Sequence, residues 1–279
     1  MNTLIKNIKI GTCSWKYDSW KGLVYSDSVG KEYLSEYSQH YKIVEVDQWF
    51  WSLFGDKVVM PKPEVVAEYV SGVPKDFRFS IKVPNAITLT HQHGKGPLEV
   101  NPHFLSNALM DDFLKFLEPM SKQINSLIFQ FEYLNKQKMP NQMVFHDRLQ
   151  EFCENLPLRF HYCIETRNQN YINRPYFEFL QSIGLSHVFL QGYWMPSIFH
   201  VFGHFKEYIK NHTVIRLHGS DRKGIEQKAN SKWNKIIDPK DGELHNLSKM
   251  IHELIEREVK VTLSVNNHYE GSAPMTIDR

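Results

Sequence analysis

Glu165 and Arg167 stand two residues apart at the polar end of an otherwise apolar stretch, LRFHYCIETR (residues 158–167). In an extended strand they share one face with Cys163, while Tyr162 and Ile164 share the other. A carboxyl beside low-dielectric walls rises in pKa and suits acid–base work, whereas a neighbouring Arg167 or Lys82 lowers it again. Glu45, at the end of another strand-like stretch, supplies a second carboxylate. The two could form an acid–base pair, ligate a divalent metal, or brace each other as salt-bridge scaffolding. Lys82, Arg167 and Arg216 offer a positive lining suited to phosphate or carboxylate, and a desolvated Lys82 could also form a Schiff base. His218 could be a general acid or base, a metal ligand, or a hydrogen-bonded structural histidine. His91 and His93, in THQHGKG, could clamp a metal from a loop or simply be solvated. GKG there lacks the spacing of a phosphate-binding P-loop, and no HExxH, GxSxG or supported Cys–His pattern is present.

These residues need elements to position them. Residues 8–13, 43–47, 77–83, 127–131, 158–167, 185–191, 213–218 and 260–266 read as strands. Helical spacing of apolar residues predicts intervening helices near 31–41, 64–70, 102–120, 141–155, 174–183, 197–210 and 243–258. Residues 219–240 read as a polar connection, and ITLTHQHGKGPL (residues 87–98) as a lid or binding loop. Eight strands alternating with helices, in 279 residues and without a linker, predict a single-domain (β/α)8 barrel. No GxGxxG follows the first strand, which argues against an open dinucleotide-binding sheet. Strands buried on both faces read as continuous apolar runs. Here one parity is polar toward each C-terminal end, and it gathers Trp15, Glu45, Asp47, Lys82, Gln130, Glu132, Glu165, Arg167, Gln191, Arg216, His218 and Asn266 at one mouth. So many ionisable groups cost several kcal/mol each to desolvate unless they are paired or face water, and a polar mouth around a ligand meets that condition. The aromatics Trp15, Tyr17, Trp20, Trp49, Phe50 and Trp51 bracket the first two strand ends, as a stacking wall or as a hydrophobic plug.

The chain is 42% hydrophobic and 23% charged, with a formal net charge of +2. That balance excludes a dedicated nucleic-acid arm or polybasic membrane anchor and leaves room for a local basic funnel. Cys13, Cys153 and Cys163 form no CxxC pair, an odd count that fits a reducing cytosol. No apolar run is long enough to span a bilayer, and the opening MNTLIKNIKI lacks a signal-peptide pattern. A cytoplasmic protein is the expectation.

Several segments carry a family resemblance. GTCSWKYDSWKGLVY, IVEVDQWFWSLF, FRFSIKVPNAITLTH, IFQF, IETRNQNYI, VIRLHG and SVNNHYEGSAP resemble the strand motifs of the uncharacterised TIM-barrel proteins called domain of unknown function 72. The matches run from about Gly11 to Pro274. The resemblance implies a TIM barrel and supports Glu45, Lys82, Glu165, Arg167, Arg216, His218 and Asn267 as site residues. It brings no reaction with it. Where the family often continues in prolines after Gln130, Glu132 and Tyr133 stand here, and Tyr171 stands where a Trp often follows the Glu-x-Arg motif. The expected function is acid–base chemistry by Glu165, Glu45 and His218 on a small anionic, sugar-like substrate. Lys82, Arg167, Arg216, Trp15, Gln130 and Asn267 would bind it. The alternatives are a metal-dependent phosphoesterase or nucleic-acid-processing barrel, using Glu45, Glu165, His218 and His91, and a barrel that binds a ligand without turnover.

Overall fold

Gly11 explains how tightly the sheet begins to close. A Cβ built on it would lie 2.1 Å from the Ile43 carbonyl oxygen, so only glycine lets the first two strands approach. The computed structural model describes residues 7–30, 32–55, 57–92 and 99–279. Its eight parallel strands are β1 Ile8–Cys13, β2 Ile43–Val46, β3 Arg78–Lys82, β4 Ile124–Gln130, β5 Tyr162–Glu165, β6 Ser186–Gly192, β7 His212–Gly219 and β8 Lys260–Val265. They pair in sequence order, and β8 returns to pair with β1, which closes an α/β barrel of the TIM type. Replacing Gly11 with Ala is expected to cost about 1–3 kcal/mol by overpacking in urea unfolding. Gly30→Ala, with nothing within 4 Å of the added carbon, should change stability by less than about 0.5 kcal/mol.

The longer helices are α1 Tyr33–His40, α2 Pro63–Ser71, α3 Asn107–Phe116, α4 Gln142–Cys153, α5 Arg174–Ser182, α6 Ile198–Phe205, α7 Arg222–Ala229, α8 Asp241–Glu256 and α9 Ala273–Asp278. Caps set several starts. Ser106 Oγ accepts from the Leu109 N–H at 3.3 Å, so α3 begins five residues later than expected, and Pro119 lies in the 3-10 segment that follows it. Asn141 and Asn173 cap α4 and α5 in the same way. The connection at 219–240 holds a helix that spacing did not predict. Asp221 caps α7 through the Gly224 N–H at 2.9 Å, and only Ile225 and Ala229 of that helix are buried. Two apolar positions in eight are too few to register as a periodic stripe.

Strand registry orders the barrel interior into tiers. Gln130 is level with Glu165, Leu190 and Ser264 with Arg216, and Glu45 with Ser80. Below the polar tier, Ile128, Cys163, Val188 and Val214 meet in a small apolar cluster inside the barrel. Strand β6 corrects the expected parity. Val188 and Leu190 share the inner face, while His187 and Gln191 point toward the helices. His187 lies among the Tyr176, Phe177 and Phe189 rings and bonds the Tyr176 hydroxyl at 3.2 Å. Gln191 donates to Glu243 at 2.7 Å and accepts from the Ile198 N–H at 3.1 Å. Helix partners satisfied these polar groups, so polarity alone misassigned the face.

Candidate functional site

Arg216 sits at the centre of the polar tier, 2% exposed, and its guanidinium fork determines what surrounds it. Nε donates to Glu45 Oε2 at 2.9 Å and Nη2 to Glu45 Oε1 at 2.6 Å, a bidentate pair. Nη1 donates to Glu165 Oε2 and reaches Gln130 Oε1 at 3.5 Å. Arg167 Nη2 lies 2.6 Å from Glu165 Oε1, a close ionic contact with no aligned hydrogen bond to that oxygen. Glu45 and Glu165 are both fully buried. Burial pushes the Glu165 carboxyl up, but Arg167, Arg216 and Lys82 together outweigh it and hold the group down at about 2. At neutral pH Glu165 is therefore a fixed anion. A proton carrier needs a pKa near the working pH, so its geometry suits orienting the guanidinium rather than exchanging protons.

Two other groups move toward neutrality. Lys82 is 8% exposed and its Nζ stands 3.8 Å from the centroid of the Phe50 ring. Among the described residues it makes no ion pair. Burial lowers its pKa to about 8, helped by Arg216 and opposed by Glu45, Glu165 and Asp47. Asp47 moves the other way: burial raises its carboxyl, with Glu45 adding to the rise and Lys82 and Arg216 opposing it. Asp47 belonged to the expected mouth set without a role. Its signal was its shared parity with Glu45.

His218 is 7% exposed, with Nε2 3.7 Å from Cys13 Sγ and Nδ1 3.2 Å from the Tyr193 hydroxyl. Burial, then Arg216, Arg167 and Lys82, drives its pKa far below the ordinary range. Burial likewise raises the Cys13 thiol, with Glu45 adding to it. The pair is a neutral imidazole beside a neutral thiol, not an activated thiolate. Gly219, at φ +74°, follows at once; a Cβ there would come within 2.6 Å of the His268 carbonyl, so the chain can turn at this point only with glycine. Tyr193, just after β6, also carries the Arg167 guanidinium 4.6 Å above its ring.

The remaining expected residues do other things. Trp15 is 6% exposed, packed edge-on against Tyr69 at 5.1 Å, while Trp49 stacks on the same ring at 5.6 Å. These aromatics form the plug rather than a stacking wall. Trp51, 62% exposed, meets the Phe50 ring edge-on at 5.1 Å. Asn267 Oδ1 accepts from the Ala273 N–H at 2.9 Å, which fixes the turn into α9. Asn266 Oδ1 accepts from the His268 N–H at 3.0 Å. Glu132 pairs with Lys138 and accepts from the Thr90 hydroxyl at 3.0 Å. His91 Nδ1 bonds that same hydroxyl at 3.0 Å, and His93 lies outside the described residues. The loop that looked like a lid begins as a buried helical turn, Asn85–Thr88. Among the described residues no group of three or more His, Cys, Asp or Glu side chains converges to hold a metal ion. Glu45 and Glu165, two of the four expected ligands, instead share the Arg216 guanidinium.

Together these features define a TIM-type barrel with a preorganised, charge-paired floor and a partly neutralised amine beneath its C-terminal mouth. The chain belongs to the family described as "Protein of unknown function DUF72", whose pattern it matches over residues 9–279. It is 27% identical over 165 residues to the UPF0759 protein YecE of Escherichia coli K12, a match covering 59% of this chain and about half (50%) of that relative's length. Solved crystal structures share the fold. A DUF72 family protein of Thermotoga maritima superposes with a TM-score of 0.66 at 19% identity, over 96% of this chain and 95% of that one. A DUF72 family protein of Enterococcus faecalis superposes with a TM-score of 0.67 at 20% identity, over 97% and 94%. No helix of the described residues is long and apolar enough to cross a membrane.

Proposed function

We propose that the barrel mouth binds a small anionic molecule, phosphate- or carboxylate-bearing and sugar-like, and performs acid–base chemistry on it. Lys82 and Asp47 exchange the proton, and Arg167 docks the anion. Arg216, Glu45 and Glu165 form the floor that fixes the field. The observation that carries this reading is Lys82: a nearly buried amine, over a phenyl face rather than on a carboxylate, with its pKa near 8. An amine so placed is part base and part cation near neutrality, and an entering anion would favour the cation. Asp47, whose carboxyl is raised by burial while the Lys82 amine is lowered, completes a pair of groups pushed toward each other. Arg167 has five N–H donors and meets Glu165 through Nη2, and its remaining donors suit a substrate oxygen. A second reading, binding without turnover, is favoured by the fixed ionisation of Glu165. Formation of product from a bound sugar phosphate or sugar acid separates the two.

Reductive 13C-methylation followed by NMR titration tests the reading directly. The Lys82 resonance is expected to titrate near pH 8, while exposed lysines titrate near the ordinary value of about 10.4. Inorganic phosphate or malonate should move the Lys82 midpoint upward, because an adjacent anion stabilises the ammonium. A Lys82 midpoint near 10.4, or one indifferent to both anions, would overturn the proposal.

A further inference from the structure

The strand parity that builds the mouth also builds the opposite end of the barrel. Four residues before Cys13, Lys82, Arg216 and Ser264 along their strands stand Lys9, Arg78, His212 and Lys260, at the N-terminal ends of β1, β3, β7 and β8. They line a cavity of about 170 Å³ together with His161 and Asn125. Among the described residues no Asp or Glu contributes to its wall. Arg78 Nη1 is held by the Lys75 and Phe77 carbonyls at 3.0 Å each, and the His161 and His212 rings stack at 5.1 Å. Asn125 Nδ2 is fixed on Thr262 Oγ1 at 2.8 Å, as is His212 Nε2 at 3.2 Å. Among the described residues Lys9, Arg78 and Lys260 form no ion pair.

The lower ends of such barrels ordinarily serve stability. A stabilising cluster pairs its charges, whereas this one gathers three cations and two histidines. Lys9 is pushed down by burial and then by the charges of Arg78 and Lys260. His212 is pushed to about 3 by burial, His161, Lys9 and Lys260. The free protein therefore holds like charges together at a cost, and an anion would remove that cost.

We propose that this N-terminal cavity is a second ligand site, taking a single phosphoryl-sized tetrahedral oxyanion, either free phosphate or the terminal phosphate of a larger molecule. Lys9, Arg78 and Lys260 supply the charge, and Asn125 and the histidine pair supply shape. Four strand residues separate it from the mouth, about 13 Å at 3.3 Å per residue. The apolar layer of Ile128, Cys163, Val188 and Val214 lies between them. The site stands independently of any reaction at the mouth.

Thermal unfolding and calorimetry, with inorganic phosphate and with a sugar monophosphate at matched ionic strength, decide the matter. Phosphate should raise the wild-type Tm, since it binds only the folded state. In a Lys82→Met background, where the mouth no longer binds phosphate, Lys9→Gln should weaken binding by about tenfold, as expected for one lost charge-assisted contact. It should also raise Tm in phosphate-free buffer, because it relieves the crowding; a purely structural role would lower it. Lys82→Met, which removes phosphate binding at the mouth, should keep a phosphate response, and adding Lys9→Gln/Lys260→Gln to it should abolish what remains. In the Lys82→Met background, stronger binding of the sugar phosphate identifies a terminal phosphoryl group, and equal binding identifies the free anion. No phosphate response in Lys82→Met, or a response that survives in Lys82→Met/Lys9→Gln/Lys260→Gln, would overturn the site.

Discussion

Replacing Arg216 with Met is expected to destabilise the protein by about 3–5 kcal/mol at pH 7, measured by urea unfolding. The guanidinium makes a bidentate pair with Glu45 and a third bond to Glu165, and both carboxylates are fully buried. Methionine fills much of the volume but leaves two buried anions without their shared counter-ion. Such a pair takes up a proton, so its folded-state pKa lies above the unfolded value. A raised pKa gives a contribution that is present below the unfolded value and lost as pH rises through the folded one. The deficit of Arg216→Met should therefore be smaller at pH 5 than at pH 8. In the wild type the sign is opposite. Glu165, held at about 2 against an ordinary 4.5, contributes stability above its unfolded pKa, and that contribution disappears as pH falls toward 2. Adding Glu45→Gln to Arg216→Met should recover part of the loss, since it removes one orphaned charge. A deficit under about 1 kcal/mol, or one indifferent to pH, would show that the floor is not held by this fork.

Replacing Lys82 with Met should act in the reverse direction on stability. The lysine pKa falls from an ordinary 10.5 to about 8, with burial the first cause. A lowered folded-state pKa gives a contribution that is present above the unfolded pKa and lost as pH falls through 8. At pH 7 the wild type thus carries the cost of a desolvated ammonium, up to about 3 kcal/mol. Lys82→Met should gain about 2–3 kcal/mol at pH 7 and little at pH 10.5, read by urea unfolding at the two values. The same variant should lose phosphate or malonate binding at the mouth. Once a substrate is in hand, turnover should fall by about 10²–10⁴, the range for a proton carrier. Stability gained while binding is lost marks a residue kept for function at the expense of the fold. If Lys82→Met is instead destabilised at pH 7, the amine is part of the scaffold and the reading of the mouth fails.

The alternation of Glu45 with Val44 and Val46, and of Arg216 with Ile215 and Leu217, was enough to place polar side chains inside a barrel of alternating strands and helices. Period two is a property of any strand, so the sequence carries it directly. The same parity carries Lys9, Arg78, His212 and Lys260, but the polar residues are denser toward the C-terminal strand ends, so the mouth is the stronger signal. The β6 face was read inverted, because His187 and Gln191 are polar and their helix partners, Tyr176 and Glu243, lie 11 and 52 residues away. Sequence by itself determined the eight strands, the closed sheet and the residues that could meet at its upper end. Only the tertiary structure decided how they divide the labour. Glu45 and Glu165 meet on one guanidinium 171 and 51 residues distant, and that encounter turns the leading acid–base candidate into a fixed anion. Lys82 comes to lie over Phe50, in ion-pair contact with no carboxylate among the described residues, and so becomes the group that titrates. A pKa depends on burial and on charges within a few ångströms, and those distances exist only after the strands have closed.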